Sequence, residues 1–253
     1  MNLIDIHTHL NFPQFAEDRE EVIKRAREVG VRMINVGTDL ATSREVVALA
    51  EKCPSEMWAT VGIHPTDIGD ISWDELEHLA QNKKVVAIGE CGLDYFHVKD
   101  VAERQQQAEV FEKQIDMAQR VGKPLMIHCR DAYDDLLAVL KNFPQVTGNV
   151  HFFAGDWPTA KKFLALGFTL SFTGAITFAS NYDEVIKNLP LESLLIETDC
   201  PFVAPVPHRG QRNEPSYVVE VAKRVALLKG ISLEEVARVT TATARLRFGL
   251  DLL

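Results

Sequence analysis

Short apolar runs alternate with longer amphipathic stretches along the whole chain, and the alternation fixes the class of fold. Eight runs have strand length, at 3–7, 32–37, 57–63, 85–90, 124–128, 148–152, 168–173 and 194–198. Several are unbroken Val, Ile, Leu and Met, the pattern of parallel strands covered on both faces. Helical periodicity fills the intervals at 18–29, 41–52, 73–81, 101–121, 132–142, 157–166 and 181–188, and Gly30, Pro54, Gly122 and Pro144 stand where helices stop. Two further helices are expected at 216–228 and 233–247, the second opened by Ser232 and Glu235 at the spacing of a capping box. Both are assigned to the outside of the fold. A β/α rhythm of this length predicts a (β/α)8 TIM barrel with additional C-terminal helices, as one domain over 1–253. An open doubly wound sheet would carry a Gly-rich phosphate loop after an early strand, and the sequence has none.

Composition narrows the partners. Apolar residues make up 46% and charged residues 25%, ordinary for a soluble domain, so the whole chain is expected to fold. A net charge of −9 argues against the basic face by which long duplex nucleic acid is usually bound. A phosphate substrate stays open, because bound divalent ions can neutralise it locally. The four cysteines, Cys53, Cys91, Cys129 and Cys200, lack C-x-x-C spacing and read as reduced, small apolar residues. The chain enters a strand at once with no leader pattern, and no run approaches the ~18 apolar residues of a membrane span. A cytoplasmic protein without a membrane anchor or an obligatory protein partner is expected.

The chemistry gathers at strand ends. His7-Thr8-His9 closes the first apolar run, and residues two apart on a strand share a face, so both imidazoles can reach one metal ion. Glu90, His128, His151 and Asp199 each follow a later apolar run. Barrels carry function at the C-terminal ends of their strands, and these six residues occupy such ends. Four of them are among the eight histidines of the chain, too many to fall at strand ends by accident. Mixed imidazole and carboxylate ligands suit Zn²⁺, Mn²⁺ or Co²⁺, with Mg²⁺ less favoured by so many nitrogens. Hydrolysis is the chemistry such a site supports.

A series of motifs appears in order along nearly the whole chain: Asp5-Ile6-His7-Thr8-His9-Leu10, Gly62-Ile63-His64-Pro65, Gly89-Glu90-Cys91-Gly92-Leu93-Asp94, His128-Cys129-Arg130-Asp131, His151-Phe152-Phe153-Ala154-Gly155, Glu197-Thr198-Asp199-Cys200-Pro201 and Arg212-Asn213-Glu214-Pro215. In this combination the chain resembles the TatD family of metal-dependent hydrolases, a branch of the amidohydrolase-like barrels. The resemblance implies two divalent ions per subunit, one on His7, His9 and Asp199, a second on His128 and His151, and Glu90 bridging them. It also implies a deoxyribonuclease that trims single-stranded DNA from the 3′ end through a metal-activated water. Three positions depart from the family pattern: Phe152 and Ala154 stand where Cys and Ser are common, and Thr66 where many relatives have His. The same metal pair serves carbonyl chemistry, so the alternative is an ester or amide hydrolase such as an aminoacyl-tRNA deacylase. A scaffold without catalysis is disfavoured, because every expected ligand is present.

Asp199 and Glu90 are the catalytic candidates, Asp199 as the base that takes the proton of the attacking water. His64 and Arg212 are the candidates for substrate binding. His64, outside the six ligands, is expected to donate to a substrate oxygen. Arg212 lies in the loop after the last strand with His208, Arg209, Asn213 and Glu214, where barrels often hold phosphate, and its guanidinium suits bidentate contact. Asp5 and Glu197 share parity with His7 and Asp199, and regular alternation would point them inward, either to orient a histidine or to form a polar layer. Asp94 and Asp131 read chiefly as loop residues, with orientation of an imidazole as the alternative, and His78 and His97 as surface residues.

Overall fold

The computed structural model describes residues 2–250. Eight strands, β1 (Leu3–Thr8), β2 (Val31–Val36), β3 (Met57–Val61), β4 (Val85–Asp94), β5 (Leu125–Arg130), β6 (Gly148–Val150), β7 (Thr169–Phe172) and β8 (Leu194–Ile196), lie side by side in chain order. Every adjacent pair is parallel. The segment past β8 closes the ring on β1, where Thr8 bridges Cys200, the Asp199 amide donates to the His7 carbonyl (2.9 Å) and the His9 amide to the Cys200 carbonyl (2.9 Å). The result is a (β/α)8 barrel.

The helices are α1 (Arg19–Glu28), α2 (Leu40–Lys52), α3 (Trp73–Ala80), α4 (Val101–Val121), α5 (Tyr133–Leu140), α6 (Trp157–Ala165), α7 (Asp183–Asn188), α8 (Val218–Lys229) and α9 (Leu233–Phe248). Local chemistry sets their ends. Asp39 caps α2 through a reciprocal box with Thr42, Asp100 caps α4, and Ser232 accepts from the Glu235 amide as the sequence pattern requires. No helix among the described residues is long and apolar enough to cross a membrane.

Two apolar layers hold the barrel. The larger lies between strands and helices, and the smaller fills the barrel interior with Ile4, Ile6, Ile34, Trp58, Val86, Met126 and Leu195. Ala244 and Phe248 of α9, followed by Leu250, join that interior cluster. The last helix therefore plugs the N-terminal end of the barrel, a correction to its expected place on the outside, because its apolar stripe meets the open end of the strand ring. Above the plug, Asn149 donates to Ser171 (2.7 Å) and Ser171 to Glu197 (2.7 Å), a buried polar step toward the opposite rim.

Strand lengths differ from the apolar runs in ways that build the site. The chain leaves the sheet earlier than read at β3, β6 and β8, so His64, His151 and Asp199 stand on loops beyond strand ends. β4 instead continues to Asp94. It can do so because Gly89 and Gly92 lie against β5, where an added Cβ would stand 2.3 Å from the Met126 carbonyl oxygen and 2.0 Å from that of His128. Regular alternation also fails in β1. Its register against β2 shifts between Asp5 and Thr8, and Ile4 and Ile6 take the interior positions. Asp5 lies instead at the seam, accepting from the Thr198 amide (2.9 Å) and hydroxyl (2.5 Å).

Candidate metal centre

All six residues predicted as ligands converge at the C-terminal mouth of the barrel. His7 Nε2 lies 3.1 Å from His9 Nε2, and Asp199 Oδ1 stands 3.8 and 3.5 Å from those two nitrogens. Glu90 faces two ways. Its Oε2 is 3.3 Å from His7 Nε2 and 3.8 Å from His9 Nε2, while its Oε1 is 2.9 Å from His128 Nδ1 and 2.8 Å from His151 Nε2. The centre borders a cavity of ≈850 Å³ that is also lined by His64, Phe12, Phe152, Phe202 and Arg130.

The surroundings decide which nitrogens are free. His9 Nδ1 lies 3.1 Å from the Val36 carbonyl, which can only accept, so that nitrogen carries the proton and Nε2 turns its lone pair inward. His128 Nε2 lies 3.0 Å from Asp94 Oδ2, which fixes the opposite tautomer and turns Nδ1 toward Glu90 and His151. Glu197 approaches His151 Nδ1 at 3.5 Å while accepting from the Phe152 amide at 2.7 Å. Each of these partners orients a ring whose other nitrogen faces the centre.

Without a cation these donors do not satisfy one another. His7 Nε2 and His9 Nε2 face each other at 3.1 Å, and one proton can serve only one such contact. The buried carboxylates demand positive charge. Burial alone would raise Glu90, but the surrounding imidazoles, His151 foremost, and a hydrogen bond from His128 hold it well below the ordinary range. Burial would likewise lower His151, yet Glu90 and Glu197 push it well above its ordinary value, and Asp94 and Glu90 raise His128 against burial. Protons on these rings neutralise the carboxylates, and a divalent ion would replace them with the same sign of charge. Three buried or half-buried groups have ligand atoms within 4.8 Å of one another: His7 with His9 and Asp199, His7 with Glu90 and His151, and His64 with Glu90 and His128. The donor set fits divalent metal.

His64 belongs to one of these groups although it lies outside the six predicted ligands. Its Nδ1 lies 2.7 Å from the Thr66 hydroxyl and 3.2 Å from the Thr66 amide, and its Nε2 stands 3.5 Å from Glu90 Oε1 at the cavity wall. Burial carries its pKa down to about 3, so the ring is neutral at pH 7. Thr66, a departure from the family pattern, places its hydroxyl beside this ring.

Arg212 lies away from this group. Its guanidinium grips Asp18 at 2.8 and 2.6 Å, donates to the Gln14 carbonyl and covers the Phe15 ring at 4.5 Å. The rest of that loop is equally engaged: Arg25 clamps Glu214 (3.0 and 2.6 Å), Asn213 holds the Thr198 and Phe202 carbonyls, and His208 stacks on Tyr217. Two further residues stand at the site. Asp94, read chiefly as a loop residue, caps the His97 amide (2.8 Å) and also holds His128. Arg130 lies at the cavity with its guanidinium 3.8 Å over Phe96 and no carboxylate partner among the described residues. Its position two residues after His128 on β5 was the available signal.

Comparison with known proteins bears on this arrangement. A family model described as TatD related DNase matches residues 4–249. The chain is 42% identical over 257 residues to the uncharacterized metal-dependent hydrolase YabD of Bacillus subtilis (strain 168), covering 98% of this chain and 100% of that protein. It is 36% identical over 261 residues to a protein of Erwinia tasmaniensis named 3′-5′ ssDNA/RNA exonuclease TatD, covering 98% of this chain and 100% of that one. Among solved structures, YjjV, a TatD homologue from Escherichia coli K12, superposes with a TM-score of 0.90 at 32% identity, covering 98% of each chain.

Proposed function

The chain belongs to the TatD family of metal-dependent hydrolases, and from that premise we propose that it is a two-metal phosphodiesterase that trims single-stranded DNA from the 3′ end. The observation that carries the metal reading is Glu90, whose two oxygens face different sets of imidazoles. His7, His9 and Asp199 would hold one divalent ion, His128 through Nδ1 and His151 through Nε2 the other, and Glu90 would touch both. Such a pair supplies a Lewis acid for the phosphoryl oxygen and a water of lowered pKa. Zn²⁺, Mn²⁺ and Co²⁺ suit the ligands best.

The protein groups do the rest. Asp199 presents Oδ1 to the two histidines and leaves Oδ2 to take a proton from the attacking water. The nearby imidazoles keep this carboxyl below its ordinary range despite burial, so it is ionised and ready to accept. The water oxygen forms the new bond to phosphorus, the P–O3′ bond breaks, and the proton held by Asp199 passes to that O3′. Neutral His64 donates from Nε2 to a non-bridging oxygen as charge accumulates there. Single-stranded nucleic acid is favoured as substrate because relatives are named for it and because an acidic chain lacks a basic track for duplex.

The test is direct. With Mn²⁺, Mg²⁺ or Zn²⁺ supplied, 5′-labelled single-stranded DNA should shorten into a descending ladder, and Asp199→Asn should abolish the ladder at unchanged melting temperature. Asn tolerates the left-handed backbone that Asp199 adopts at φ 55°, so the variant should fold. Intact DNA together with cleavage of aminoacyl-tRNA by the metal-loaded protein would overturn the nuclease reading.

A further inference from the structure

Three phenylalanines stand about half exposed on this face of the molecule, Phe96 (47%), Phe178 (47%) and Phe202 (48%). Two of them are already covered. Arg130 lies 3.8 Å over Phe96 and Arg209 3.9 Å over Phe178. Among the described residues no cation covers Phe202, which lines the cavity of the candidate metal centre. It meets Phe12 edge-on at 6.3 Å, and Phe12 in turn stacks on the His9 ring at 4.6 Å and 15°. A series of rings thus leads from a candidate ligand to the open rim.

The fold holds this ring in place. The Phe202 amide donates to the Asp199 carbonyl (2.9 Å), and its carbonyl accepts from Asn213 Nδ2 (2.6 Å), a buried side chain that also holds the Thr198 carbonyl (2.9 Å). The next residue, Val203, sits at φ 50°, a conformation that a β-branched residue keeps only where its surroundings enforce it. An apolar ring fixed in water three residues from Asp199 has the character of a contact surface awaiting a flat partner.

We propose that Phe202 is a stacking platform for a nucleobase adjacent to the scissile phosphate. The proposal rests on the nuclease reading above and deepens it. Every nucleobase offers a flat face to an aromatic ring, so such a platform is tolerant of sequence. In a duplex only the outer face of the terminal pair is open and its base is held by pairing, whereas a single-stranded end can turn its terminal or penultimate base onto a ring. The chain carries a net charge of −9, and of its lysines and arginines only Arg130, among the described residues, lines this cavity, so stacking adds a grip that phosphate pairing alone does not supply. Phe202 thereby selects for single strands.

The experiment compares kcat/KM on a 5′-labelled oligonucleotide with that on strands carrying a tetrahydrofuran abasic residue at the 3′-terminal or the penultimate position. For the wild type, loss of the base at one of these positions should lower kcat/KM about tenfold, the scale of one base–aromatic stack. Phe202→Ala should be about tenfold slower on the intact strand and should respond to base removal by less than about twofold. Phe202→Trp should restore the discrimination, which separates loss of stacking from damage to the loop. A Phe202→Ala protein that keeps the full discrimination, or a wild type that cuts all strands equally well, overturns the platform and leaves the nuclease reading standing. A wild type that leaves every oligonucleotide intact overturns both.

Discussion

Replacing Asp94 by Asn tests whether a carboxylate outside the ligand set decides how His128 binds. Asp94 is fully buried and accepts three hydrogen bonds, from the His97 amide (2.8 Å), His97 Nδ1 (2.8 Å) and His128 Nε2 (3.0 Å). Burial would raise it, but His128 and His97 hold it far below the ordinary range, so an ionised acceptor faces both rings. Asn is nearly isosteric yet has a single carbonyl oxygen. With that oxygen toward His128, its NH₂ confronts the His97 amide donor. Flipped, the NH₂ meets His128 Nε2 and favours the tautomer that protonates Nδ1, the nitrogen turned toward Glu90. Loss of such an orienting partner costs about 10- to 100-fold in metal affinity, equivalent to about 1.4–2.7 kcal/mol. Only the ion held by His128 and His151 should weaken. Calorimetric titration of chelator-stripped protein with Zn²⁺ or Mn²⁺ should show two binding steps, one of them shifted in Asp94→Asn and the other, on His7, His9 and Asp199, unchanged within about threefold. Two unshifted steps, accompanied only by a lower melting temperature, would reduce Asp94 to a brace for the His97 loop.

Other perturbations separate site from scaffold. Phe248→Ala removes a ring that is 3% exposed from the plug, a loss of about 3–5 kcal/mol. At about 2–4 °C per kcal/mol for a chain of this size, melting should fall by about 6–20 °C, with kcat at 25 °C retained because the plug lies at the other end of the barrel. Arg212→Ala should lower melting by a few degrees at most, since a partly exposed ion pair contributes about 1 kcal/mol or less. A hundredfold loss of kcat/KM would instead mean that the guanidinium leaves Asp18 to reach substrate. In the metal-free protein, His151 is raised well above 6.5, so the folded state binds more protons than the unfolded one once pH exceeds that value. That stabilisation is complete below about pH 6.5 and is lost as pH rises, so the stripped protein should melt lower at pH 8.5 than at pH 6.5. Metal competes with the same protons, and the loaded protein should gain melting temperature over the stripped one most at the higher pH; equal gains at both values would refute the exchange.

Apolar periodicity carried the barrel and the convergence of its six candidate ligands, because parallel strands buried on both faces announce themselves and barrel chemistry is confined to one rim. What the sequence did not reveal depends on register and distant partners. Asp94 reaches His128 because β4 pairs with β5 with Gly92 beside His128, a register that rests on backbone contact at two glycines. Arg212 is occupied by Asp18, a partner 194 positions away that no local pattern discloses. Phe202, following a proline in a loop, reads as an ordinary apolar residue until its exposure is seen.

The backbone supplies the deeper reason. The described residues include four non-glycine residues at positive φ: Asp131 (57°), Phe152 (43°), Asp199 (55°) and Val203 (50°). All four follow the C-terminal ends of β5, β6 or β8, and only the two Asp residues are of a type that tolerates this region. Each such conformation costs of order 1–3 kcal/mol and persists only where neighbours enforce it. At Asp199 the His7 carbonyl does so, and at Phe152 the Glu197 carboxylate. The bonds that impose the strain therefore come from the histidine strand and from the acid that faces His151. Strand pairing, ligand placement and the aim of Asp199 are one coupled structure, which is why local preference fails where the chemistry is concentrated.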